Sequence, residues 1–222
     1  ILEAHKPLLK AKGYEWEIVE FSDYVTVNIA VNEGELDANF FQHLPYLEEF
    51  NKNKNTDLVK TVNVHLEPMG LYSNKIKALS ELEDGATIAV PNDPTNESRA
   101  LDILVKEGLL TFKDVDFKTV VDIIENPKNL KIKELDAPQL PRVLDEVDAA
   151  IINTNYALSA NLNPLKDAII IESKDSPYAN IVVVKKGNEN KDSIKALNEA
   201  INSEEIRTFI KEKYQGSIVE AF

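Results

Sequence analysis

The stretch GATIAVPNDPTNESRALDILVKEG, residues 85–108, carries two kinds of pattern in succession. GATIAVPN (85–92) is a short apolar run that ends at a proline, as a buried strand does. NESRALDILVKEG (96–108) reads as a helix, with Gly108 where a helix stops. A polar loop of Asn, Asp and Pro stands between them. A strand passing through a short loop into a helix is the repeating unit of an α/β protein.

The same hand-over recurs on both sides. YEWEIVEF (14–21) alternates apolar and polar positions and reads as a strand, and ELDANFF (35–41) is a shorter strand candidate. Pro45 suits the first residue of a helix running to about Asn53. LVKTVNVHL (58–66), VDAAIINT (147–154) and NIVVVKK (180–186) are further strands, and helices at about 192–201 and 204–214 close the chain. This alternation predicts mostly parallel sheets flanked by helices. At 222 residues the chain suits one large domain or two lobes of roughly 100 residues each. No repeat, low-complexity tract or flexible linker is visible, so two lobes would be joined by ordered crossovers. The expected crossovers lie near GLYSN (70–74) and DSPYAN (175–180).

The chain opens on ILEAHKPLLKAKGY, an amphipathic helix with Ile1, Leu2, Leu8 and Leu9 apolar and Gly13 as its C-cap. It lacks the charged and then apolar regions of a signal peptide. A helix at residue 1 that feeds a strand leads us to expect a lost preceding strand, in a fragment or a trimmed mature form.

Composition narrows the function. The net charge of −13 is spread along the chain and repels nucleic acid and anionic lipid, so a nucleic-acid partner is not expected. Cysteine is absent, which excludes disulfides, thiol nucleophiles and cysteine metal sites. No run approaches the ~20 apolar residues of a membrane span.

In open α/β sheets ligands bind at the carboxyl ends of strands. NFFQHLPY (39–46), VPNDPTNESRA (90–100) and IINTNYA (151–157) are three strand-to-helix junctions of that kind. Asn, Asp and Pro are also the ordinary residues of turns and N-caps, so composition alone leaves both readings open. Arg99 adds to the first. It falls in the opening turn of its expected helix, where the macrodipole disfavours a cation unless an anion lies nearby. Only three of the 25 basic residues are arginines. The alternative is a surface pair with Asp93 or Glu97.

GELDANFFQHLPYLEEF, HLEPMGLYSNK, IAVPNDPTNESRAL, VDAAIINTNYAL and KDSPYANIVVVK resemble, in order, the signatures of the methionine-binding lipoproteins. These are the NlpA-type substrate-binding components of methionine ABC transporters. The resemblance covers nearly the whole chain. The family's opening strand, signal and lipid-modified cysteine are missing, and YVTVN (24–28) lacks a proline expected after its first three residues.

The resemblance implies a two-lobed, type II periplasmic-binding-protein fold that closes on methionine or a close relative, with residues 1–74 and 179–222 forming one lobe and 75–178 the other. Tyr24, Phe41, His43 and Tyr46 would cage the thioether, where aromatic faces suit sulfur, with Tyr72 at the crossover beside them. Arg99 would take the carboxylate with Asn96 beside it, and Asn155 and Asn180 would hold the amino and carboxylate groups. Phe40, Gln42, Glu67 and Asn153 fit a supporting or core role better. The resemblance further implies permease and ATPase partners of an ABC importer, and an exported protein lipid-anchored at the outer face of the cytoplasmic membrane. It implies no catalysis and no cofactor.

Two other classes compete. A hydrolase could pair Ser73, Ser98, Ser159 or Ser176 with a histidine, but no G-x-S-x-G elbow supports it. His5, His43 and His65 lack close metal-ligand spacing. A ligand-sensing effector domain shares such a fold, but no helix-turn-helix or membrane tether is visible.

Overall fold

The computed structural model describes residues 1–173 and 176–222. A 3-10 turn (Leu2–His5) leads to α1 (Lys6–Ala11), α2 (Thr26–Glu33), β1 (Asn39–His43), α3 (Leu44–Lys54) and β2 (Leu58–Leu66). Next come β3 (Gly70–Tyr72), β4 (Thr87–Pro91), α4 (Pro94–Lys106), β5 (Thr111–Phe112), β6 (Ile123–Glu125) and β7 (Lys131–Leu135). They are followed by β8 (Ala149–Ile152), α5 (Thr154–Ser159), α6 (Pro164–Asp167) and β9 (Ile170–Ile171). The chain closes with β10 (Ala179–Lys185), α7 (Asp192–Ile201), α8 (Glu204–Tyr214) and β11 (Val219–Glu220). Two compact units result: Ile1–Glu67 with Asp175–Phe222, and Pro68–Lys174.

The first unit is built on a sheet of order β1-β10-β2-β11, all antiparallel among the described residues. β10 is buried on both faces, which is why NIVVV reads as an unbroken apolar run. Val64 and Val182 pack on one side with Leu9, Leu197 and Ile201. Ile181 and Val183 pack on the other with Val31, Leu47 and Phe50. Each such aliphatic contributes about 1.5–3 kcal/mol on burial.

The second unit has a five-stranded sheet of order β7-β4-β8-β3-β9. β4 runs parallel to β7 and β8, whereas β3 runs antiparallel to β8 and β9. Its core joins Ile88, Val90 and Ile151 of the sheet to Leu101 and Leu104 of α4.

The α/β class holds, but the expectation of mostly parallel sheets does not. Strand–helix alternation gives parallel neighbours only when each helix carries the chain back to the same edge. β10 instead enters from a distant segment and is inserted between β1 and β2, running against both.

Other expectations shift locally. Residues 14–21 form no strand; half-burial of Tyr14, Trp16 and Ile18 between exposed neighbours keeps the period of two without a ladder partner among the described residues. Tyr14 and Trp16 pack against the α1 cluster. The strand expected at 35–41 lies at Asn39–His43. The opening helix is broken before Lys6, because Pro7 lacks an N–H and can sit only in a first turn. The first crossover falls at Glu67/Pro68 rather than in 70–74, because Gly70–Tyr72 pairs inside the second unit's sheet. Of the second expected crossover (175–180), Asp175 lies outside the described residues, while Ala179 and Asn180 already belong to β10.

Candidate functional site

The junction of β1 and α3 sets out the NFFQHLPY side chains. His43 is the N-cap of α3, and its Nδ1 accepts the backbone N–H of Tyr46 at 3.2 Å. An accepting Nδ1 places the ring proton on Nε2. β1 carries an irregularity between Phe40 and Gln42, leaving Phe41 without a cross-strand partner and turned toward α3. Phe41 stacks on Tyr24 at 5.6 Å and meets Tyr46 edge-on at 6.0 Å. Tyr46 donates its hydroxyl to the Tyr24 carbonyl at 3.1 Å. The Tyr178 ring stands 4.9 Å from His43. Tyr24, Phe41, His43 and Tyr46 are thus one cluster. Phe40 points the other way, edge-on to His65 at 5.1 Å.

A buried amide network, not foreseen from the sequence, lies beside this cluster. Asn28 and Gln42 exchange hydrogen bonds of 2.9 and 2.6 Å, and Asn39 donates to Asn28 Oδ1 at 2.9 Å. Gln42 also donates to Asn39 Oδ1 at 2.9 Å. It ties α2, and Tyr24 just ahead of it, to β1. Three amides scattered over 28–42 carry no periodic signal, so the pattern could not be read in advance.

Asn180 was expected at a crossover but lies in β10, paired across the sheet with His43 on one side and His65 on the other. Its Nδ2 stands 3.3 Å from His65 Nε2.

In the second unit the other two junctions meet. Asp93 caps α4, accepting from the Asn96 N–H at 3.0 Å, from Asn96 Nδ2 at 2.9 Å and from Thr95 Oγ1 at 3.1 Å. Burial pushes the Asp93 carboxyl above its usual range, against the pull of those bonds. Asn153, the N-cap of α5, donates Nδ2 to Asn96 Oδ1 at 2.9 Å, joining the two helix starts. Its Oδ1 is buried without a partner among the described residues. Asn155 is half-buried on the first turn of α5. Asn153, which the sequence suggested as supporting, therefore has the unsatisfied polar atom.

Arg99 lies in the second turn of α4, since that helix starts at Pro94 rather than Asn96. Its anion is neither Asp93 nor Glu97. Arg99 Nε donates to Glu172 at 3.0 and 3.1 Å, Nη2 adds a further bond to Oε2, and both side chains are about 95 % buried. Glu172 also accepts the Met69 N–H at 3.1 Å. The pairing spans 73 positions, which no sequence pattern discloses.

Tyr72 belongs to the core of the second unit and is 1 % exposed; a Cβ at Gly70 would collide with its ring. Its hydroxyl is buried without a partner among the described residues, and burial raises its pKa well above the ordinary range.

Glu97 is 3 % exposed and accepts the Val120 N–H at 3.3 Å. Burial, then the neighbouring Glu134 carboxylate, lifts its pKa from 4.5 to about 7. The unfolded chain therefore releases this proton before the folded one does. Stability conferred by the protonated group is full below about pH 4.5 and is lost as pH rises to about 7. At about 1.4 kcal/mol per pH unit the loss is at most about 3–4 kcal/mol. Urea titrations between pH 5 and 8 should show a shallower fall for Glu97→Gln than for the parent; equal slopes would remove Glu97 as the cause.

Among the described residues no group of three or more His, Asp or Glu is placed to hold a metal ion. No helix among them is long and apolar enough to cross a membrane.

Comparison with known proteins gives one consistent result. The model of the NlpA lipoprotein family matches residues 1–222. The D-methionine-binding lipoprotein MetQ of Escherichia coli K12 is 44 % identical over 227 residues, covering 100 % of this chain and 84 % of the relative. The probable D-methionine-binding lipoprotein MetQ of Pasteurella multocida is 46 % identical, over 93 % of this chain and 75 % of the relative. A nutrient binding protein from Burkholderia cenocepacia, solved bound to methionine, superposes with a TM-score of 0.97 at 47 % identity, covering 100 % of this chain and 94 % of that one.

Proposed function

The chain belongs to the NlpA lipoprotein family, and from that membership we propose that it is the substrate-binding protein of an ABC importer and captures methionine. The observation that supports this most is its likeness, over the full chain, to a binding protein solved with methionine in place. The side chains agree chemically. Tyr24, Phe41 and Tyr46, with His43, offer aromatic faces and edges suited to a polarizable thioether. Asn153 Oδ1 is a buried acceptor in need of a donor, which an α-ammonium supplies. Arg99, whose guanidinium carries five N–H donors and is held by Glu172 along its Nε–Nη2 edge, is the cation we assign to the ligand carboxylate. Asn96, already bonded to Asp93 and Asn153, orients its neighbours; Asn155 and Asn180 complete the polar set, and Tyr72 supports from the core.

On this reading the partners are the permease and ATPase subunits of the importer, and the protein works outside the cytoplasm, tethered by a lipid. Its cycle is binding and release without chemistry.

Methionine should stabilise the fold by mass action, by about 2.7 kcal/mol at a hundredfold excess over Kd. A thermal scan of protein unfolded and refolded to strip resident ligand should show a clear rise in midpoint with methionine. Chelators should leave that rise unchanged, and mass spectrometry should recover methionine intact after long incubation. Absence of any shift, or steady product formation, would refute the proposal.

A further inference from the structure

His43, Asn180 and His65 form one row across β1, β10 and β2, and the row continues from His65 to Glu67. His65 Nε2 lies 2.7 Å from Glu67 Oε1, with the two side chains 4 % and 17 % exposed. The Phe40 ring, edge-on at 5.1 Å, holds the imidazole against rotation. Asn180 Nδ2 stands 3.3 Å from the same Nε2, which is the only side-chain hydrogen-bond contact of that amide among the described residues. The ladder is irregular between Asn180 and Ile181, a place where a strand re-aims its side chains.

The proton count along this row is decisive. A carboxylate only accepts, so Nε2 must carry the hydrogen that Glu67 receives. An N–H on Nε2 cannot bond a second N–H from Asn180. The oxygen and nitrogen of a carboxamide exchange places by a half turn, and the network settles which end faces which group. The satisfied arrangement sets Asn180 Oδ1 against Nε2–H and directs Nδ2 away from His65.

We infer that Glu67 and His65 are a positioning pair that fixes the polarity of the Asn180 amide, so that Asn180 offers N–H donors to a ligand carboxylate. The inference rests on the methionine-binding reading and deepens it: Asn180 serves the carboxylate, and the ammonium is left to acceptors such as Asn153 Oδ1. Without Glu67 either tautomer of His65 is open, and Asn180 can turn its oxygen toward the carboxylate, where it repels.

Two measurements test the pair. Nitrogen-15 NMR of the imidazoles should show His65 in the Nε2–H form, identified by loss of its signals in His65→Gln, and a mixture of forms in Glu67→Gln. A parent His65 with its proton on Nδ1 overturns the inference, whether or not methionine binds. Calorimetry then uses methionine, methioninol, which lacks the carboxylate, and the desamino analogue, which lacks the ammonium. Glu67→Gln and Asn180→Ala should each weaken methionine and the desamino analogue about tenfold, the worth of one hydrogen bond to a charged group. Both should leave methioninol unchanged, and Glu67→Gln should add nothing in an Asn180→Ala background. Equal losses for all three ligands in either variant would make the pair merely structural and overturn the inference. No methionine binding by the parent protein would instead defeat the proposed function.

Discussion

Arg99→Ala should lower the stability of the ligand-free protein by about 3–5 kcal/mol, because it strands the Glu172 carboxylate in a buried site. Denaturant titration of the stripped protein measures this directly. The same substitution should weaken methionine at least about tenfold through the lost charged hydrogen bonds. The two effects are separable. Arg99→Met with Glu172→Leu replaces the pair by apolar groups of similar size, which restores most of the stability. That double variant should still bind methionine poorly, and methioninol no worse than the parent does. Should it recover the parental affinity for methionine, Arg99 serves the fold alone and another cation must take the carboxylate. Arg99→Lys should fall between, since a point charge cannot grip Glu172 with two parallel bonds.

Asn28→Ala should cost about 2–4 kcal/mol, although it removes only a small polar side chain. Asn28 is 0 % exposed and accepts from both Asn39 and Gln42 while donating to Gln42. Truncation leaves those two amides buried with unmet donors and acceptors, which costs more than a missing hydrogen bond. The loss should also loosen α2 against β1, so Tyr24 and Phe41 no longer keep their stack and methionine affinity falls by a lesser factor. Thermal denaturation and calorimetry on one preparation give both numbers. A change below about 1 kcal/mol would mean that water replaces the lost partners.

Much of the fold was legible because its signals are local. LVKTVNVHL and the two closing helices appear in the structure with the bounds read from pattern alone. Strand direction was not legible, since it depends on where β10 inserts and no local pattern encodes that. The residues 14–21 misled because a period of two reports alternating burial, and alternating burial does not require a ladder. In the site, Phe41, His43 and Tyr46 drew notice because they crowd into NFFQHLPY, whereas Tyr24 came only from the family resemblance. Glu172, Asn28 and the unsatisfied oxygen of Asn153 were not, for each owes its role to a partner far along the chain or to burial. Arg99 was singled out as a cation in an opening helical turn, but the helix starts earlier, at Pro94, and the anion beside Arg99 is supplied by the protein itself.

The placement of β10 also bears on the order of events during synthesis. β1 and β2 are complete once residue 66 has left the ribosome, yet the strand that separates them begins at Ala179. Phe40 must wait for Val182, and His65 for Asn180. The second unit, contiguous from Pro68 to Lys174, can close on itself in the interval. The amino-terminal segment meanwhile remains a chain with two unpaired strands, slow to mature because its decisive pairings are remote in sequence. Nascent chains stopped short of Ala179 therefore hold β1 and β2 without the strand that pairs with both.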